Sequence, residues 1–221
     1  MLKPFVFPPI ILPMIPTSIL MDIQSSEIWL AVLLAVALIG VSVLVGWILT
    51  NVMRKKQYKN SMPINMTLSG VMSLILLLRY GFSMTTVQGI ILMFVLLYAS
   101  CSDLTDHTMD DFLWVMVVIL GLLSAETVGF PSMLIGAVTV FLPQIFSAVL
   151  AKNPIGGADI KLTTALAFLL GWQRGLIMLI TGMLLAVVVM LIARKYEKRK
   201  KGQPFALIPF VSAAAMAAFF V

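Results

Sequence analysis

One cysteine, Cys101, and one histidine, His107, stand in 221 residues. A single thiol closes no internal disulfide and offers no cysteine pair to zinc. With one imidazole beside it, a Cys/His metal centre is not expected. Charge is equally scarce, at 11% of residues, whereas soluble domains carry about 25%. Apolar residues make up 61% of the chain and its mean hydropathy is +1.09. Such a sequence cannot cover itself with polar surface, so it reads as an integral membrane protein, without length for a second large soluble domain. The net charge of +6 comes from Lys and Arg gathered in loops, which points to membrane topology and away from nucleic acid. Helical signal is also missing from residues 1–27. Pro4, Pro8, Pro9, Pro13 and Pro16 interrupt that apolar stretch, and interior prolines break helices. One Lys and no small-residue cleavage pattern make it a poor signal peptide. It reads as a poorly ordered or interfacial lead.

What is present is a series of long apolar runs. A hydrocarbon core of about 30 Å needs about 20 apolar residues per helix. Eight spans are expected, at 28–50, 62–80, 84–102, 111–127, 131–151, 159–172, 174–193 and 204–221, the fourth and sixth being short. Open sheets cannot satisfy their backbones in lipid, so the expectation is an all-α polytopic bundle of about eight transmembrane helices. Its parts would be the lead (1–27), two N-terminal helices joined by a short basic loop (28–83) and a six-helix core (84–221).

Twelve of the fifteen Lys and Arg fall in three places: 54–59, the pair Lys152 and Lys161, and 194–201. Lys3, Arg79 and Arg174 fall on the other side. The positive-inside rule then puts both termini outside and the three basic places in the cytoplasm. Asp103 ends an inward span and Asp159 begins an outward one. Two intervening spans return both to the cytoplasmic side.

Those two acids are the chief candidates for chemistry, because carboxylates at the edge of apolar runs are costly to keep. Four acids occupy 103–111 with no Lys or Arg among them. Asp110 and Asp111 read as solvated residues capping the fourth helix, Asp106 and His107 as loop residues. Asp103 still belongs to its apolar run; the alternative for it is an interfacial helix end. Asp159 follows Gly156-Gly157-Ala158 and opens an apolar helix; the alternative for it is an N-cap. Lys161 either snorkels to the interface or tunes the carboxylate field. Gln88, Gln144 and a break at Pro143 read as helix-packing features. Two aspartates that meet cannot both ionise easily and share a proton, which suits hydrolysis by activated water. Helix dipoles would make Asp159, at a helix N-terminus, the base and Asp103, at a C-terminus, the acid.

At these residues the chain resembles the type IV prepilin and preflagellin peptidases, the GxGD class of membrane aspartyl proteases. Asp103-Leu104 fits the family's first element, and Met109-Asp110-Asp111 stands where an apolar-Pro-Asn/Asp triplet is usual. Gly156, Gly157, Asp159, Lys161 and Leu162 fit Gly-x-Gly-Asp before Lys-Leu, with Ala158 in place of the glycine beside the acid. Pro204-Phe205-Ala206-Leu207-Ile208-Pro209-Phe210 is similar to the Pro-Phe-rich start of the last helix. The resemblance covers about 84–221. It implies catalytic Asp103 and Asp159 supported by Gly156, Gly157, Ala158 and Lys161. It also implies a multi-pass protein of the inner membrane that removes the basic leader of prepilin-like precursors at the cytoplasmic face, among membrane lipids. No metal or cofactor is implied for cleavage. S-adenosylmethionine would be needed only by relatives that also methylate, and those often carry paired cysteines after the first helix, where this chain has the short stretch 54–60. Peptidase action alone is therefore expected. Two other readings are a proton-coupled transporter, which would need polar residues through the midplane, and a non-catalytic membrane component of a pilus or secretion machine.

Overall fold

A computed structural model describes residues 25–58, 60–150, 156–197 and 206–221. Residues 1–24 of the proline-rich lead, Lys59, and the stretches 151–155 (with Lys152) and 198–205 lie outside the described residues. So do the lysines and arginine of 198–201 and the Pro204-Phe205 pair. The chain divides into residues 1–38 and residues 39–221. The first unit contributes, among the described residues, the opening of helix α1.

Nine helices and no strand are found among the described residues. They are α1 (Ser25–Lys55), α2 (Met62–Tyr80), α3 (Met84–Asp106), α4 (Phe112–Leu123), α5 (Ala125–Val128), α6 (Phe130–Leu150), α7 (Gly157–Leu170), α8 (Trp172–Glu197) and α9 (Ile208–Phe219). The chain is a multi-pass helical membrane protein. Segments of α1, α2, α3, α6 and α8 are long and apolar enough to cross a bilayer. The other three expected spans are shorter. Helices α4 and α9 have 12 residues and α7 has 14, roughly 18 and 21 Å at 1.5 Å per residue. The fourth span, expected to reach 127, stops at Leu123. Ser124 ends it and the single turn α5 follows, because the Ser124 hydroxyl bonds the Gln88 side chain of α3 (3.2 Å) and the Leu120 carbonyl (3.4 Å). The expected break at Pro143 does not occur: α6 runs straight through it. Proline is tolerated inside membrane helices, where neighbouring groups satisfy the freed carbonyl.

In residues 39–221, α7 is the central helix. It packs on α4, α6, α8 and α9, and supplies the buried Leu162, Leu166, Leu169 and Leu170 to the core. Helix α3 packs on α2, α4 and α9 and adds the fully buried Leu92 and the nearly buried Leu96. Lipid offers helices little hydrophobic drive to associate, so small and polar residues carry the contacts. Between α1 and α2 the hydroxyls of Ser42 and Ser73 lie 2.5 Å apart, and Asn65 Nδ2 donates to Thr50 Oγ1 at 3.2 Å. Between α6 and α7 the approach is closer still. A Cβ on Gly136 would lie 2.6 Å from the Ala167 carbonyl oxygen and 2.7 Å from the Gly171 carbonyl carbon. Both are backbone atoms that cannot swing aside. Gly136→Leu should therefore force the two helices apart. The expected result is a thermal unfolding midpoint in detergent lowered by the equivalent of at least ~1–3 kcal/mol, the usual cost of overpacking. Ile135→Leu, one residue along on an exposed face, should leave it unchanged.

Candidate active site

Helix α3 starts at Ser83, whose Oγ accepts the Thr86 N–H at 3.3 Å, and its apolar run reaches Ala99. Asp103 does not end the helix, as expected from sequence, but sits one turn inside it. The helix runs on to Asp106 and closes at His107, a left-handed residue (φ +53°) whose N–H returns to the Asp103 carbonyl at 3.1 Å. The Asp103 side chain turns inward and is 6% exposed. A carboxylate buried this far needs donors. Its Oδ2 accepts the N–H of Ile208 at 3.0 Å, and the N–H of Leu207 also interacts with it. These are backbone donors at the first turn of α9, the kind of helix terminus that holds anions. The proposed dipole argument for Asp103 is corrected by this contact: its carboxyl group meets the N-terminus of α9 as well as the C-terminal part of α3. Dipoles alone do not divide the roles of the two acids.

Helix α7 is capped at Gly156 (φ −59°, ψ 139°), so Asp159 is its third helical residue and not the N-cap. The half-buried Asp159 side chain folds back to Gly156 and takes its backbone N–H, the return half of a capping box. A Cβ on Gly156 would stand 3.1 Å from Asp159 Oδ2, while one on Gly157 would meet nothing within 4 Å. Ala158 lies within the first helical turn, where alanine fits better than glycine, so its departure from the family pattern costs the turn nothing. Asp103 and Asp159 thus come from ends of α3 and α7 that lie on the same side of this unit. The charge of Asp103 acts on the Asp159 carboxyl group. Two carboxyl groups coupled in this way resist double ionisation.

The loop between α3 and α4 is held from two sides. Asp110 was expected to be a solvated cap. It instead receives Lys56 Nζ (3.0 Å) and the Tyr98 hydroxyl (2.9 Å), and Lys56 also donates to Tyr98 at 2.7 Å. Asp111 occupies the N-cap position of α4 without a capping bond. It pairs with Lys161 at 2.7 Å and accepts Trp114 Nε1 at 3.3 Å. Lys161, two residues beyond Asp159, therefore fastens the loop that follows Asp103 to the helix that carries the second acid. Sequence reasoning missed Lys56 and Tyr98. One looked like a topology charge and the other like part of an apolar run, and only the folded chain pairs them.

Gln144 and Gln88 do link helices, as expected. Gln144 Oε1 accepts from Thr163 Oγ1 at 2.9 Å, and that hydroxyl also bonds the Asp159 carbonyl at 2.7 Å. The Gln144 amide nitrogen is buried without a partner. Among the described residues no group of three His, Cys, Asp or Glu is placed to hold a metal ion.

Residues 90–191 match the model of the type IV leader peptidase family. The matched stretch is 102 of the 221 residues. It runs from within α3 to within α8, and so contains both acids, the clamped loop and the glycine turn. The match supports a leader-peptidase-like protease. No curated protein and no solved structure matched the chain.

Two outcomes follow from the geometry. The hydrogen bond from Lys56, then that from Tyr98, holds Asp110 below the ordinary aspartate value of 3.8, and Lys161, then Trp114, does the same for Asp111. Bonds to Tyr98, then Asp110, raise Lys56 above 10.5. The two acids' contribution is complete above pH 3.8 and is lost as pH falls through their lowered values. That of Lys56 is complete below pH 10.5 and is lost as pH rises through its raised value. Protection of the 107–111 amides against hydrogen exchange, taken relative to the intrinsic rate at each pH, should therefore be kept between these limits and fall below them in acid. Asp110→Asn should show fast exchange already at neutral pH. At the turn, Gly157→Ala should leave the thermal midpoint unchanged or raise it by up to ~1 kcal/mol. Gly156→Ala should lower it by displacing the Asp159 side chain.

Proposed function

We propose that the chain is a membrane aspartyl endopeptidase that removes the basic leader of prepilin-like precursors at the cytoplasmic face of the inner membrane. Asp103 and Asp159 act as its catalytic pair. The observation that supports this reading is that the charge of Asp103 reaches the Asp159 carboxyl group from 56 positions away in sequence, within the family-matched stretch.

Reasoned from the residues, the charged member of the pair takes a proton from water as the oxygen attacks the scissile carbonyl carbon, and the neutral member gives its proton to the carbonyl oxygen. Collapse of the tetrahedral intermediate breaks the C–N bond, with a proton passing to the leaving amine, and the pair returns to one shared proton. Each acid already accepts a backbone N–H, so both are oriented before substrate arrives. Lys161 and Lys56 act as positioning residues by fixing the loop that follows Asp103. Membrane lipids surround the bundle, a prepilin-like precursor is the partner, and peptidase action without methylation is the reading kept for the short 54–60 stretch. A proton-coupled transporter is less well supported. Buried Leu92, Leu96 and Leu166 occupy α3 and α7 between the acids and the opposite helix ends.

The test is co-expression with a precursor carrying a basic leader before its hydrophobic helix, following leader removal by gel shift and mass spectrometry. Asp103→Asn and Asp159→Asn should each lower cleavage at least 100-fold while the folded protein stays in the membrane. Lys161→Gln should slow cleavage without abolishing it. Full cleavage by either Asp variant would overturn the assignment of the pair.

A further inference from the structure

The end of residues 39–221 opposite the acids holds a cavity of about 390 Å³. It lies where α2, α7 and α9 end and where α3 and α8 begin, beside the break at Ser124. Arg174, Gln88, Ser124, Ser132, Tyr80 and Trp172 line it, and no Asp or Glu does. Gln88 and Ser124 are more than nine-tenths buried. The Ser124 hydroxyl occupies the Gln88 carbonyl, which leaves the carboxamide NH₂ as the donor for the cavity. The wall is rigid: the Tyr80 hydroxyl donates to the Phe219 carbonyl at 2.5 Å, its ring stacks on Phe220, and the Arg79 guanidinium sits 5.9 Å from its centroid.

Charge makes this end unusual. Among the described residues Arg54, Lys55, Lys56, Lys161 and Lys195 stand toward the acid-bearing side, so a cation opposite runs against the bias that orients membrane proteins. Among the described residues the basic side chains on that side are Arg79 and Arg174. One lines the cavity and the other covers its tyrosine wall. The charges of both reach the Tyr80 hydroxyl. A guanidinium with amide and hydroxyl donors, and no acid, is a donor set for a compact anion with several oxygens. At the ends of membrane helices, that chemistry is what lipid phosphates present.

We propose that this cavity binds a phosphoryl anion, either the headgroup of an acidic lipid in the adjoining leaflet or free phosphate. The site is separate from Asp103 and Asp159 and does not depend on their role.

The experiment uses the full chain purified in a neutral detergent and reads the thermal unfolding midpoint. One arm adds inorganic phosphate and the other a short-chain phosphatidylglycerol, with a short-chain diacylglycerol as the phosphate-free control. The expected result is a rise of several degrees at saturation in at least one phosphoryl arm, absent with diacylglycerol. The rise should be at least halved in Arg174→Gln and in Gln88→Leu, and preserved in Lys55→Gln on the other side. A response to both arms assigns the site to phosphate itself, and a response to the lipid alone assigns it to a headgroup. Arg174 is exposed, so its loss should not prevent folding, and Gln88→Leu is judged against its own ligand-free midpoint. No rise in either arm, or a full rise in both variants, would overturn the proposal.

Discussion

Three glycines on three helices set the position of α7. Gly136 of α6 brings backbone against the Ala167 carbonyl, Gly175 of α8 would place a Cβ 2.9 Å from the Ala167 methyl, and Gly121 of α4 would place one 2.9 Å from the Phe168 ring. The contacts converge on one turn of α7. In lipid, where burying apolar surface gains little, close approach of this kind replaces the hydrophobic drive of a soluble core. Asp159 lies two turns back along the same rigid helix, so the depth and rotation of α7, fixed at 167–168, also fix where the acid emerges. The second acid is placed differently. Asp103 has no glycine socket around it among the described residues, and its carboxyl group is held by the amides that open α9. The site thus depends on the packing of one helix and on the first turn of another.

Much of this was legible in the sequence because it follows from local rules. Apolar runs of sufficient length gave helices near all eight expected positions, with α2 matching its expected bounds of 62–80. The count of crossings brought Asp103 and Asp159 to the same side. What was illegible depended on partners distant in the chain. Nothing near Leu123 announces that the fourth helix stops there; the reason is Gln88, 36 residues away, which takes the Ser124 hydroxyl. The dipole reading of Asp103 used only its own helix and could not include Ile208, 105 residues further on. Pro143 shows the opposite error, since a local rule that holds in water was relaxed by the surroundings of a membrane helix.

The Met109-Asp110-Asp111 triplet lacks the proline usual in the family pattern that it resembles. Proline fixes φ and so stiffens a loop from within. Here stiffness comes from outside. Lys56 and Tyr98 donate to Asp110, Lys161 pairs with Asp111, and the Ser102 hydroxyl donates to the Thr108 carbonyl at 2.8 Å. A proline would restrain one residue, whereas these bonds tie the loop to the turn after α1, to α3 and to α7. The two acids that looked surplus beside Asp103 are what makes this possible, because each pairs with a lysine from a different part of the chain. The loop's order therefore depends on the same packing that places Asp159. A change that shifts α7 moves Lys161 with it, releases Asp111 and loosens the segment following Asp103, so the two halves of the site are mechanically linked.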